Sequence, residues 1–221
     1  MKKMLVIIVI LAMILVSMII YKNIAINKNK SVNVHEVEQI EEYISKIYMW
    51  KEITKEALPT FENINNANEL WVWEVIKKNL ETYETTYEEI QQKGKELFGE
   101  KFERQIPKEG NDSFYYDKES NKYLATEIVL DEEEDSFLLK DIEKEGEKYK
   151  VKIIEYIEDY SEENKVIIRN LQEEEIGRVS TTDSETKIKE IVKNNKERFS
   201  QKNIEIKKEK DNLVIEKVNK E

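Results

Sequence analysis

The stretch FLLKDIEKEGEKYKVKIIEYIED, residues 137–159, decides the fold. Lysines alternate with Tyr149, Val151 and Ile153, which is the two-residue period of a strand with one face turned inward. Glu145-Gly146-Glu147 interrupts the alternation as a turn, so the apolar run beginning at Phe137 folds back as the partner of a hairpin. The same period starts at Ser113, where SFYYD and KYLATEIVL flank the turn KESN. It continues with KVIIRN and EIGRVS around a short polar turn, and ends with NIEIKK and LVIEKV around EKDN. Four hairpins in sequence imply an antiparallel sheet.

Upstream the period is helical. Asn33 followed by Glu36 has the layout of a capping box, and apolar residues recur at Val37, Ile40, Ile44, Ile47 and Tyr48. That pattern predicts a helix running to about Leu58, where Pro59 stops it. A second helix is expected over 67–83, carrying ELWVWE. Its two tryptophans, Trp71 and Trp73, stand roughly 200° apart on a helical wheel, at opposite margins of one wide apolar face, with Glu74, Lys77, Lys78 and Glu81 on the remaining arc. They cannot form a single stacking plane while the segment is helical, and they read as walls of a buried helix. Thr86 and Glu89 make a second capping box, Gly99 a stop, and Gly94 a point of close helix packing. After the third hairpin, helical period returns at Ile188, Ile191, Val192 and Phe199 behind a Thr182–Glu185 box.

The expected fold class is therefore α+β, with about three helices packed against one face of an antiparallel sheet, then a late helix and a C-terminal hairpin. In front of it, residues 4–20 form an apolar run with one polar residue, Ser17, and no charge. As a helix this run is about 25 Å long, close to a bilayer core. Lys2 and Lys3 precede it, and bulky residues stand where a signal-peptidase site needs small ones, so residues 1–21 read as a retained transmembrane signal anchor. Residues 22–32 then read as a tether, and 33–221 as a single extracytoplasmic domain held at the cell membrane.

Residues 1–30 hold five of the 36 basic residues and no acid, which leaves 31 basic against 47 acidic residues, a net charge of −16, for the rest. Such a domain repels nucleic acid. The absence of cysteine removes acylation, disulfides and thiolate chemistry together.

Catalytic motifs fail one by one. His35-Glu36 begins an HExxH motif, but Gln39 fills its fifth position and His35 is the sole histidine. Ser184-Glu-Thr-Lys187 matches S-x-x-K without its companion motifs, and no G-x-S-x-G or Gly-rich phosphate loop exists. The acidic run DEEEDS, residues 131–136, lacks EF-hand spacing and reads as a solvated turn. No metal, cofactor or catalytic residue is assigned. A carboxylate pair of the glycosidase kind leaves no sequence motif and stays open as the alternative. Aromatic residues supply the candidate ligand contacts: Trp50, Trp71 and Trp73 in the helical half, and Tyr115 and Tyr116 on the first hairpin. Of the tyrosines on strands, Tyr123, Tyr149, Tyr156 and Tyr160 included, alternation turns some toward water, where rings stack on sugars or peptides.

The layout of amino-terminal helices on a long antiparallel sheet, over roughly residues 33–180, resembles the NTF2-like and cystatin-like groups. The two-lysine start, single apolar segment and charged domain resemble uncharacterised membrane-anchored proteins of Gram-positive bacteria. The second resemblance implies a location. The expected role is a non-enzymatic, membrane-tethered domain that binds a protein or small molecule; the alternatives are a cell-wall-directed hydrolase using a carboxylate pair and an accessory subunit of a membrane complex.

Overall fold

The computed structural model describes residues 32–126, 133–183 and 185–221. The anchor and tether expected over 1–31 lie outside them. Among the described residues no helix is long and apolar enough to cross a membrane.

Helix α1 spans Val34–Ile47, and its start is the expected box: Asn33 Oδ1 accepts from Glu36 N, and Glu36 accepts from Asn33 N. It ends eleven residues before Leu58, at an extended Tyr48. The reason is tertiary. The indole N–H of Trp71 donates to the carbonyls of Ile47 and Ala57, each at 3.1 Å, and Met49 N donates to Ala57 O, so the chain closes a loop where the sequence pattern would continue a helix. A single turn, α2 (Lys51–Thr54), lies inside that loop and ends at Lys55 in the left-handed region.

Helix α3 (Glu69–Lys78) is shorter than expected, capped by the Asn68 side chain on Trp71 N. Trp71 and Trp73 are 0% and 2% exposed, walls of a buried helix as the pattern implies. An aromatic chain joins them around the helix: Trp71 to Phe98 at 5.7 Å, Phe98 to Phe102 at 5.4 Å and Phe102 to Trp73 at 6.3 Å between ring centres. The charged arc of the helix is itself partly buried, at Glu74 and Lys77. Lys77 Nζ donates to Glu74 Oε1 at 2.8 Å and to Thr126 Oγ1 at 3.1 Å, because the next sheet closes over that side.

That sheet is small. Strand β1 (Glu84–Thr85) precedes helix α4 (Tyr87–Phe98), whose Thr86–Glu89 box forms as expected. Strands β2 (Phe114–Asp117) and β3 (Lys122–Ala125) come next, and β3 lies between β1 and β2. Gly94 lies under the Phe102 ring, where an added Cβ would stand 2.3 Å from ring carbon Cε1.

The main sheet has six strands: β4 (Glu133–Glu145), β5 (Lys148–Asp159), β6 (Lys165–Arg169), β7 (Glu175–Ser180), β8 (Ser200–Glu209) and β9 (Asn212–Lys220). All pair antiparallel. β5 is the trunk. One of its edges pairs with β4 throughout; the other pairs with β8 up to Glu155 and with β6 from Ile157, so the sheet forks there. β4 begins at Glu133, four residues ahead of the expected start, and takes up part of the acidic run read as a turn.

Helices cover both faces, a correction to the single covered face expected. Tyr149, Val151 and Ile153 point into the core shared with α1, α3 and α4; Ile154 and Tyr156 point the other way, toward helix α5 (Glu185–Asn194). Among the described residues Thr182 and Glu185 share no hydrogen bond, so the expected box is not seen. Asp183 takes Ser180 N and Lys187 instead, while Phe199 lies beyond the helix after a 3-10 turn but packs with Tyr156 in that second core.

At the fork sits a buried ion pair. Lys202 and Glu155 are 2% and 0% exposed, with Nζ 3.1 Å from Oε1. Lys202 also donates to Leu58 O, and Glu155 accepts from Tyr48 Oη at 3.3 Å and Ser200 Oγ at 3.2 Å. Replacing one member strands a charge in an apolar interior. Lys202→Met is expected to cost about 3–5 kcal/mol in denaturant unfolding, and the double variant Lys202→Met with Glu155→Leu to recover part of that loss. A single-variant cost under about 1 kcal/mol would contradict this burial.

Candidate functional site

Two concavities compete. The larger, about 580 Å³, runs along α1 toward α4 and the β8–β9 turn. Most of its charges are matched: Lys46 to Glu42 and Lys93 to Glu96, each at 2.7 Å, and Glu36 to Lys144, while Lys208 and Asp211, of opposite sign, have no ion pair among the described residues. A ligand entering there meets a surface whose charges largely balance.

The second, about 450 Å³, lies where the end of α1 passes the start of β4. Besides Glu41 and Ser45 of α1, Lys78 of α3 and Glu185 of α5, its walls come from one loop and two strands. The closed loop that Trp71 imposes on residues 49–57 presents Trp50, half-buried; β4 presents Asp135 and Phe137; β5 presents Tyr156 and Glu158. Five carboxylates line it, Glu41, Glu134, Asp135, Glu158 and Glu185, against one lining ammonium, Lys78; outside the lining, Lys189 pairs with Glu185 at 2.7 Å and Glu41 at 3.8 Å, which leaves Glu134, Asp135 and Glu158 as the acids without an ion pair among the described residues.

That ammonium is committed. Lys78 Nζ stands 5.0 Å from the centre of the Trp50 ring and donates to Tyr48 O at 2.8 Å and Ser45 O at 3.0 Å, carbonyls at the end of α1. Burial lowers its pKa, opposed by Glu134. The effect is to fix the indole against a cation that caps a helix end. One face of Trp50 is thereby spoken for.

Asp135 is the unusual acid. Its Oδ2 accepts from Lys51 N at 2.6 Å, while its Oδ1 is buried without a hydrogen-bond partner among the described residues. Burial pushes its pKa up, partly offset by Lys51, with Glu155 and Glu133 adding to the rise. Behind it Tyr48 Oη bridges Ser136 O and Glu155, and burial next to Glu155 and Asp135 carries that phenol well above the usual range. Ser136 Oγ and Tyr160 Oη both donate to Glu158. The cleft thus has an aromatic and hydroxyl lining under an acidic rim, suited to a ligand that carries positive charge and a flat apolar part.

Of the five candidate residues, Trp50 alone lines this cleft. Trp71 and Trp73 are sealed in the core. Tyr115, 63% exposed, and Tyr116, packed on Tyr123 with centres 5.0 Å apart, lie on the small sheet and not on this cleft. The strand tyrosines divide in the same way: Tyr149 and Tyr156 are buried and Tyr160 is 43% exposed. His35, with its side chain 77% exposed in the first turn of α1, takes no part. Sequence reasoning missed Asp135, Phe137, Glu158 and Lys78. Asp135 stood inside DEEEDS, where only the alternation of Asp135 and Phe137 hinted at a strand already under way.

Among the described residues no group of three His, Cys, Asp or Glu side chains is placed to hold a metal ion. Comparison of the chain with protein-family models, with curated proteins and with solved structures finds no match.

The raised pKa of Asp135 has a signed consequence. The folded state holds this proton more tightly than the unfolded state, so the group's contribution is complete below the unfolded pKa and lost as pH rises through the folded one. Asp135→Asn is expected to gain stability relative to the parent at about pH 7 and to show no gain at about pH 3, measured as paired denaturation midpoints. An equal effect at both would sink the assignment.

Proposed function

We propose that this protein is a membrane-tethered extracytoplasmic domain that binds a cationic ligand, a protein segment or a small molecule, without chemistry of its own. The cleft at Trp50 carries the reading: an aromatic wall and five carboxylates, two of them held by Lys189, around one committed lysine, on a domain with a net charge of −16 over residues 31–221. Electrostatic attraction at such a rim speeds encounter and selects for positive charge, and ring contact supplies the apolar share of binding. The apolar run at 4–20 supports the tether, and the two lysines before it support export of the domain on its carboxyl side.

One observation favours a second reading, a hydrolase working on cell-wall material. Asp135 is a carboxyl kept toward its neutral form beside other carboxylates in a cleft, which is what a general acid paired with an ionised partner requires. Turnover of cell-wall polymer that Asp135→Asn abolishes would replace the binding reading with this one.

Fluorescence separates the outcomes on the full chain in detergent micelles. Trp71 and Trp73 are expected to emit blue-shifted light that acrylamide does not quench, and Trp50 to supply the quenchable part. Soluble cell-wall fragments that bind in the cleft protect that part, and Trp50→Ala removes the response while leaving the fold intact. Protection that survives Trp50→Ala would place binding elsewhere. Protease added to intact cells is expected to digest the domain; resistance until the cells are lysed would overturn the topology.

A further inference from the structure

The outer edge of β4 is open. β4 pairs with β5 along its whole length and with no other described strand. Among the described residues, one hydrogen bond reaches a backbone group of β4 from outside the ladder, from Tyr48 Oη to Ser136 O. From Phe137 to Glu145, alternate N–H and C=O groups therefore face outward with no described strand beside them. Proteins usually blunt such an edge with bulges and charges, and β4 has both: a bulge at Lys140 and three acids beyond it.

The signs of those charges are not those of a general guard. Past the bulge, Asp141, Glu143 and Glu145 all lie on one face, exposed, and all are negative. Across the sheet they meet Lys152, Lys150 and Lys148, so each acid faces a cation on the neighbouring strand; beyond Lys150 comes Glu205, beyond Lys152 the neutral Asn203 and beyond Lys148 a second lysine, Lys207. The lysine ammoniums go elsewhere, Lys152 to Glu221 at 2.7 Å and Lys148 to Glu216 at 2.6 Å, while Lys150 reaches Glu145 at 3.4 Å. Asp141 and Glu143 are left with no hydrogen bond or ion pair among the described residues. On the opposite face Leu139 and Ile142 are half-buried and apolar, and the one cation there, Lys144, is taken by Glu36 and sits 5.5 Å from the Tyr149 ring centre. A strand added here would match this edge with basic residues at every second position on one face and apolar residues between them.

We infer that the β4 edge is a docking surface for an extended, alternately basic and apolar segment of a partner protein, which adds to the sheet as a further strand. Main-chain hydrogen bonds to the open edge supply affinity, and Asp141 and Glu143 select the lysines or arginines. The surface begins where the Trp50 cleft ends and does not depend on it.

The test uses the full chain in detergent micelles and a short labelled peptide alternating lysine with valine. Anisotropy is expected to report binding that weakens with added salt, and hydrogen exchange to slow at the amides of β4 between Phe137 and Glu145. The double variant Asp141→Asn, Glu143→Gln is expected to weaken binding about fivefold, with a nearly unchanged melting midpoint because both side chains are exposed and neutral amides put no like charge opposite Lys152 and Lys150. Trp50→Ala is expected to leave it unaltered, so a failure here is distinct from a failure of the cleft. A peptide of the same charge, N-methylated at alternate residues, is expected not to bind; equal binding would reduce the contact to charge and overturn strand addition. Absence of binding overturns the proposal, as does full protection of those amides before peptide is added, which would mean that another segment or a second copy already holds the edge.

Discussion

The pair formed by Glu155 and Lys202 is the constraint on which the rest of the architecture turns. It stands at the residue where β5 exchanges one neighbour for another, with Glu155 opposite Ser200 of β8 and Ile157 opposite Arg169 of β6. Two charges in that position are tolerable only with further hydrogen bonds around them, and the partners come from distant parts of the chain: Tyr48 from the end of α1, Leu58 from the closed loop, Ser200 from the start of β8. The pair thereby sets the register of the trunk against β8 and seats the helical half on the sheet. An apolar pair of similar volume would fill the space without fixing the fork.

Trp71 does the corresponding work among the helices. Its indole N–H, held between the carbonyls of Ile47 and Ala57, ends α1 and closes the loop after it. The loop carries Trp50, and Lys78 caps the same helix end while resting on the Trp50 ring. The buried tryptophan thus positions the accessible one. The route runs from a core hydrogen bond to a loop shape to a cleft wall.

Cleft and strand edge share a single element. β4 supplies Asp135 and Phe137 to the concavity and Asp141 and Glu143 to the edge, with the bulge at Lys140 between them. The bulge shifts the side-chain alternation, so that Phe137 and Leu139 before it and Ile142 after it all pack toward the helical core while the acids after it face water. One irregular strand therefore presents an aromatic, partly buried surface at its start and an ordered acidic row at its end.

Local chemistry determined a good deal by itself. Hairpin turns at Gly146 and in EKDN and the boxes at Asn33–Glu36 and Thr86–Glu89 depend on neighbours within a few residues, and each formed as the sequence implied; the strand expected over KYLATEIVL forms from Lys122 to Ala125, and its residues 127–130 lie outside the described residues. Burial of Trp71 and Trp73 came from helical periodicity for the same reason. Features that depend on residues far apart in the chain were decided only in three dimensions. Nothing near Ile47 signals that a helix stops there, because the donor that stops it is 24 residues away. Nothing in IIEYI marks Glu155 as buried, since its cation lies in β8, and nothing in DEEEDS separates the half-buried Asp135 from acids that face water. A cleft formed by the end of one helix and the start of a strand 84 residues later, as Lys51 meets Asp135, has no signature in either segment alone.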